Sequence, residues 1–236
     1  MFNRKKTKNK GNNLESIVSK GLIDVTKPLL ENFNKLRAYY KCAIMEVETK
    51  LNVLNEQFSL QYDRNPINSI QTRLKRLESI REKLKRGDFP LTVESIEENL
   101  NDVAGVRVIC SFPEDVYMIA EALLNQDDIT LIEKKDYIKN PKPNGYRSLH
   151  LIVTVPIFLS DEKKLMKVEI QLRTIAMDSW ASLEHQIRYK KDCEFTEDMA
   201  AELYRCAQIS AELDERMDKL RSSVQRNEEE RKKREF

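Results

Sequence analysis

Glycine, histidine and long apolar runs are all scarce in this chain. Five glycines in 236 residues exclude collagen-like or glycine-rich low-complexity architecture. The two histidines, His150 and His185, and four cysteines without a C-x-x-C spacing make a zinc site unexpected. Neither histidine is followed by aspartate, so a His-Asp metal pair is absent, and Glu184-His185 lacks a second histidine at metalloprotease spacing. Cys42, Cys110, Cys193 and Cys206 are expected to be reduced thiols in a cytoplasmic protein. No apolar run approaches the roughly 20 residues of a membrane span. The basic start (Arg4, Lys5, Lys6, Lys8, Lys10) lacks the apolar segment of a secretory signal, so neither membrane insertion nor export is expected. A net charge of only +2 excludes a global basic field for nucleic acid.

What the chain has is charge and helix-forming periodicity. Charged residues make up 34% and apolar ones 40%, a profile of a helix-rich α/β or α+β protein with one sizeable core. Residues 1–20 form a flexible basic tail, 21–225 a single domain and 226–236 a frayed charged tail. From Ile23 to Phe58 apolar residues step by three and four, which predicts a long amphipathic helix with Pro28 in its first turn. Asn65-Pro66 ends it. Residues 67–86 read either as one helix or as a strand followed by a helix that starts near Leu77 and ends before Gly87. In the second reading Ile70, Thr72 and Leu74 face in and Gln71, Arg73 and Lys75 face out. Both readings group Lys75, Ser79 and Lys83. Two cations and a hydroxyl near a helix start suit a polyphosphate, although they also suit a solvated charged face.

Thr92–Leu100 predicts a short capped helix. DVAGVRVICSF reads as a buried strand with Asp102 at its entrance and Arg107 within it. A helix opened by Pro113 follows, then a strand over 129–137. The run KNPKPNGYRSLHLIVTV carries an Asn144-Gly145 turn that places Tyr146 at a strand edge. In KVEIQLRT the alternation puts Glu169, Gln171 and Arg173 on one polar face. A further helix is capped by Thr174, with Trp180, Leu183 and Ile187 facing inward. From Glu197 a near-heptad seam (Met199, Leu203, Cys206, Ile209, Leu213, Met217, Leu220, Val224) needs a partner surface: the domain itself, the N-terminal helix or another subunit. A ring, several cations and a carboxylate on one sheet face point to a nucleotide site with room for a metal.

RLKRLESIREKL, DVAGVRVI, KDYIKNPKPNGYRSLH, VEIQLRT and WASLEHQIRYK, in that order and spacing, resemble the synthetase domain of the RelA/SpoT-homologue family. The nearest resemblance is to its stand-alone small alarmone synthetases of the RelQ-like group. It implies an α+β, nucleotidyltransferase-like fold: a mixed central sheet of about five strands flanked by helices, with long helices at both ends. It implies transfer of pyrophosphate from ATP to the 3′-hydroxyl of GDP or GTP, with Mg²⁺ as cofactor and without hydrolase activity. Arg73, Lys75, Ser79, Lys83 and Arg107 look like the ATP contacts. Asp102 and Glu169 look like the magnesium carboxylates, with Glu169 also the general base. Tyr146 matches the guanine-stacking residue, and Lys135, Lys142, Asn144, His150 and Gln171 match positions around the acceptor. A homo-oligomer, with a homotetramer favoured, and regulation by (p)ppGpp or single-stranded RNA are further implications. The competing expectation is an RNA-binding regulator that uses the basic cleft, with catalysis secondary or lost.

Overall fold

The computed structural model describes residues 11–62, 64–188 and 195–234, with backbone alone for 11–30, 62, 228–229 and 232–234. Five strands make one mixed sheet: β1 (Ile67–Leu74), β2 (Ala104–Cys110), β3 (Thr130–Asp136), β4 (Leu149–Phe158) and β5 (Lys163–Thr174), in the order β1-β2-β5-β4-β3. Only β2 and β5 run parallel; the other neighbours are antiparallel. The helices are α1 (Gly11–Tyr62), α2 (Leu77–Arg86), α3 (Val93–Asn99), α4 (Pro113–Leu124), α5 (Ile175–Arg188) and α6 (Glu197–Arg234). The α+β architecture and its five strands match the expectation.

Alternation divides the sheet into an apolar and a polar face. Val106 and Val108, Leu151 and Val153, and Val168 and Ile170 are buried on one side. The α1 stripe of Leu36, Tyr40, Ala43, Val47 and Leu51 lies in the same core, joined by Val116, Ile119 and Leu123 of α4. Each Val, Leu or Ile among them contributes about 1.5–3 kcal/mol on burial. The opposite face keeps its polar residues and carries the site.

Residues 67–86 form a strand and then a helix, which resolves the two readings. Pairing with β2 decides it, because β1 finds its backbone partners there, from Ile67 opposite Cys110 to Leu74 opposite Ala104. Thr72, expected to face in, is exposed on this edge strand. Helix α1 starts at Gly11, ahead of the expected domain boundary, and Pro28 lies inside it instead of in its first turn. Residues 1–10 lie outside the described residues. Helix α6 runs on to Arg234 through the segment expected to fray.

The inward assignments of Leu183 and Ile187 need correction. Trp180 is buried, but Leu183 and Ile187 are about half exposed, at 53% and 49%. The seam of α6 is exposed as well: Ile209, Leu213, Met217, Leu220 and Val224 face outward, while Ala207 and Asp214 are buried. The reason is local. Helix α6 docks through its small residue Ala207 against the loop before β4 and Trp180, and that close approach turns the long apolar side chains away. Gly145 makes the approach possible, since its φ is +88° and an added Cβ would lie 2.5 Å from Ala207 Cβ. Gly145→Ala is expected to cost about 1–3 kcal/mol. Thermal unfolding should show this as a fall in Tm of roughly 3–10 °C, and an unchanged Tm would remove the close-packing argument. No helix among the described residues is long and apolar enough to cross a membrane.

Candidate active site

Strand register assembles the site. Lys135 of β3 pairs with His150 of β4, His150 with Gln171 of β5, Gln171 with Arg107 of β2, and Arg107 with Gln71 of β1. Directly paired residues share a face, so one polar residue from each strand forms a row across the sheet. Beside it runs a second row that includes Glu169, Gly105 and Arg73. Gly105 has no side chain to rise between Glu169 and Arg73, and the floor of the cleft lies open there. A cavity of about 390 Å³ is lined by Gln71, Arg73, Lys75, Asp102, Gly105, Val106, Arg107, Glu169 and Gln171. A second, of about 420 Å³, shares Arg73 and Arg107 and adds Tyr146, Arg173, Glu184 and His185.

Asp102 sits just before β2 and is the charge centre of the first cavity. Its Oδ2 accepts from Lys75 Nζ and lies 2.8 Å from Lys83 Nζ of α2. Its Oδ1 is buried and has no hydrogen-bond partner among the described residues. Burial pushes the Asp102 carboxyl up, but the two ammonium groups outweigh burial and hold it below the usual carboxylate range. Burial likewise pushes Glu169 up, and His150 and Gln171 overcome both burial and the Asp102 charge to leave it lowered. Both carboxylates are therefore ionised at neutral pH. Gln171 Nε2 donates to Glu169 Oε2 at 3.1 Å, and His150 Nδ1 lies 3.6 Å from Glu169 Oε1, an electrostatic contact beyond hydrogen-bond range.

Arginines crowd the other end. Asp178 of α5 lies 3.4 Å from Arg107 and 3.0 Å from Arg173, so one carboxylate serves two guanidinium groups. Burial and the Arg173 charge both lower the Arg107 pKa, a frustration that an anion would relieve. Tyr146 lies before β4 in the loop shaped by Pro143 and Gly145, with its backbone N–H donating to Asn144 Oδ1 at 3.2 Å. Its ring has the Arg173 guanidinium 5.1 Å and the Lys142 ammonium 4.9 Å from its centroid.

The fold thus brings together Arg73, Lys75, Arg107, Asp102, Glu169 and Gln171 around one cavity, and Lys83 joins them through Asp102. Tyr146, Lys142, Asn144 and His150 gather at the other side of Glu169, where Asn144 Nδ2 also donates to Glu184 Oε1 at 3.3 Å. Ser79 is half-buried on α2, one turn before Lys83 and outside the cavity lining. Lys135 reaches the row but its ammonium pairs with Glu133 at 2.9 Å and stays largely exposed. Sequence reasoning passed over Asp178 and Tyr137, whose ring packs edge-on against Tyr146 and His150, and it put Gln71 on the outward face without a role. It placed Arg173 on the polar face without a role. Alternation with Glu169 and Gln171 was the signal for Arg173, whereas Asp178 has none before α5 is docked.

Mg²⁺ takes few protein carboxylates and completes its octahedron with phosphate oxygens and water. No group of three or more His, Cys, Asp or Glu poised for a metal occurs among the described residues. A carboxylate pair on one cavity, one member with an unpartnered buried oxygen, fits an ion that shares its ligands with a polyphosphate.

Two adjoining cavities rich in cations, with two ionised carboxylates, define a site for phosphorylated ligands and transfer between them. The chain belongs to the RelA/SpoT family: residues 72–194 match the model for the region found in RelA / SpoT proteins. It is 40% identical over 202 residues to the GTP pyrophosphokinase YwaC of Bacillus subtilis, covering 86% of this chain and 96% of that protein. The fold resembles crystal structures of two synthetases from the same organism. Small alarmone synthetase 2 superposes with a TM-score of 0.73 at 39% identity, over 81% of this chain and 99% of that one. Small alarmone synthetase 1 bound to its product pppGpp gives 0.74 at 34%, over 83% and 99%.

Proposed function

We propose that this protein is a GTP pyrophosphokinase of the cytoplasm that moves the β,γ-pyrophosphoryl group of ATP to the 3′-hydroxyl of GDP or GTP. The observation that carries the reading is the pair Asp102 and Glu169 on one cavity with Arg73, Lys75 and Arg107. A module that only bound RNA would gain nothing from two carboxylates among its cations. Relatives that are GTP pyrophosphokinases, one of them bound to pppGpp, support the same substrate class.

In the reaction the 3′-oxygen attacks the β-phosphorus and the bond from that phosphorus to the α–β bridging oxygen breaks. AMP leaves with the bridging oxygen, and the hydroxyl proton passes to Glu169. Arg73 and Arg107 take the adenine between guanidinium planes, and Lys75, Ser79 and Lys83 take the polyphosphate. Tyr146 stacks on guanine, with Lys142, Asn144, His150, Gln171 and Lys135 around the acceptor. Asp102 and Glu169 would hold Mg²⁺, which when bound neutralises charge on the transferring phosphates. Alignment and charge neutralisation are what such a transfer asks of a protein. The outward seam of α6 with Leu183 and Ile187 serves as contact between subunits, for which a tetramer is the reading.

Purified protein with ATP, Mg²⁺ and GDP or GTP should yield AMP and a guanosine nucleotide with two more phosphates, separated by anion exchange. Unchanged nucleotides would reject the reading. Added pentaphosphate and single-stranded RNA should each change the rate, and a flat rate with both removes that regulation.

A further inference from the structure

Around Glu169 the hydrogen bonds have a direction. Arg173 is only 5% exposed, and its guanidinium can donate but never accept. Its Nη2 donates both to the Tyr146 hydroxyl at 2.6 Å and to Gln171 Oε1 at 3.0 Å. Its Nη1 donates to Asp178 Oδ1 at 3.0 Å and anchors the group to α5. From Arg173 two arms run to the same carboxylate. In the first, Gln171 turns its amide nitrogen to Glu169 Oε2 at 3.1 Å. In the second, the Tyr146 oxygen is 2.8 Å from His150 Nε2, and the far side of that imidazole faces Glu169 Oε1 at 3.6 Å. The first arm runs from a donor-only group to an acceptor-only one, so both its links have a defined sense, whereas the second reaches Glu169 through the Tyr146–His150 bond and an electrostatic contact.

Resting on the pyrophosphokinase reading above, we propose that Arg173 and the Tyr146 phenol are positioning groups for Glu169, coupling the seating of the acceptor base to the orientation of the general base. The Tyr146 side chain then has two separable duties. Its ring binds a base. Its hydroxyl belongs to the network that fixes Glu169 and contributes nothing to base affinity. Arg173 is held by three hydrogen bonds in a buried setting, whereas Lys142 lies on an exposed loop; an incoming base displaces Lys142 from the ring and leaves Arg173 in place. Misplacing a reacting group by about 1 Å costs up to about a hundredfold in rate, which sets the scale of the effect.

The test compares Tyr146→Phe with wild type in steady-state synthesis, with the ring kept and only the oxygen removed. We expect kcat to fall between about tenfold and a hundredfold, with KM for GDP and GTP within about twofold of wild type. Tyr146→Leu should raise the acceptor KM as well. Arg173→Lys keeps the charge but replaces the planar fork with one ammonium that cannot hold Asp178, Tyr146 and Gln171 in the same geometry, so it should lower kcat without rescue, and the double variant with Tyr146→Phe should lose less than the product of the single losses. Independently of turnover, the ring-nitrogen NMR resonances of His150, told apart from His185 by a His185→Gln variant, should move in Tyr146→Phe at constant pH. An unchanged kcat, a loss confined to KM, or unmoved His150 resonances would each overturn the coupling. A wild type that makes no alarmone would instead overturn the reaction itself, a result read before any variant is made.

Discussion

Glu169→Gln is expected to lower kcat by about 10²–10⁴ while the protein folds as before. The substitution keeps the side-chain shape and still offers an oxygen to Gln171 Nε2, so its hydrogen bond on the sheet face survives. What disappears is the negative charge and the capacity to take a proton from the 3′-hydroxyl. That loss corresponds to about 3–5 kcal/mol of transition-state stabilisation. Glu169 lies below the ordinary carboxylate range because His150 and Gln171 outweigh its burial and the repulsion of Asp102. Steady-state kinetics with both nucleotides saturating, and a thermal melt beside it, make the check. A variant that turns over within about threefold of wild type would take the general-base role away from Glu169.

Asp102→Asn should change two measurements in opposite directions. With Mg²⁺ present, synthesis should fall by about a hundredfold or more, since the site loses one of the two carboxylates that would hold the ion. Without divalent metal, a non-hydrolysable ATP analogue should bind about fivefold tighter than to wild type, because one negative charge no longer repels the phosphates. The same change releases Lys75 and Lys83, both now resting on the Asp102 carboxylate, to the polyphosphate. Isothermal titration with and without Mg²⁺ reads both. Weaker binding in the absence of metal would show that Asp102 organises the lysines for phosphate instead of competing with it.

The strands were legible in the sequence because they follow local pattern, whereas most candidate site residues were named from the resemblance of whole motifs. Period-two alternation put Glu169, Gln171 and Arg173 on one face before any partner strand was known. The turn residues around Gly145 marked where Tyr146 would emerge, although β4 begins at Leu149, beyond the strand edge expected for it. Thr92 and Thr174 cap their helices as read, accepting from the Ser95 and Met177 backbone N–H groups. Where two patterns were equally good the sequence was silent. Residues 67–86 satisfied a helix and a strand-helix alike, and only the antiparallel pairing with β2 separates them.

The apolar steps in α5 and α6 show the limit of that logic. Periodicity reports that one helix face is apolar, and it says nothing about which face the body of the protein covers. Here Gly145 and Ala207 allow a close approach along a different line, which leaves Leu183, Ile187 and the α6 seam outside. Composition and alternation by themselves determined a helix-rich α/β or α+β protein with a cationic, carboxylate-bearing sheet face. Tertiary structure alone decided that Asp178 is shared by Arg107 and Arg173, that Lys75 and Lys83 meet on Asp102, and that Tyr146 and Glu169 are joined through Arg173. Those meetings link residues on different strands, helices and loops, and strand register and helix docking set them, which no local pattern encodes.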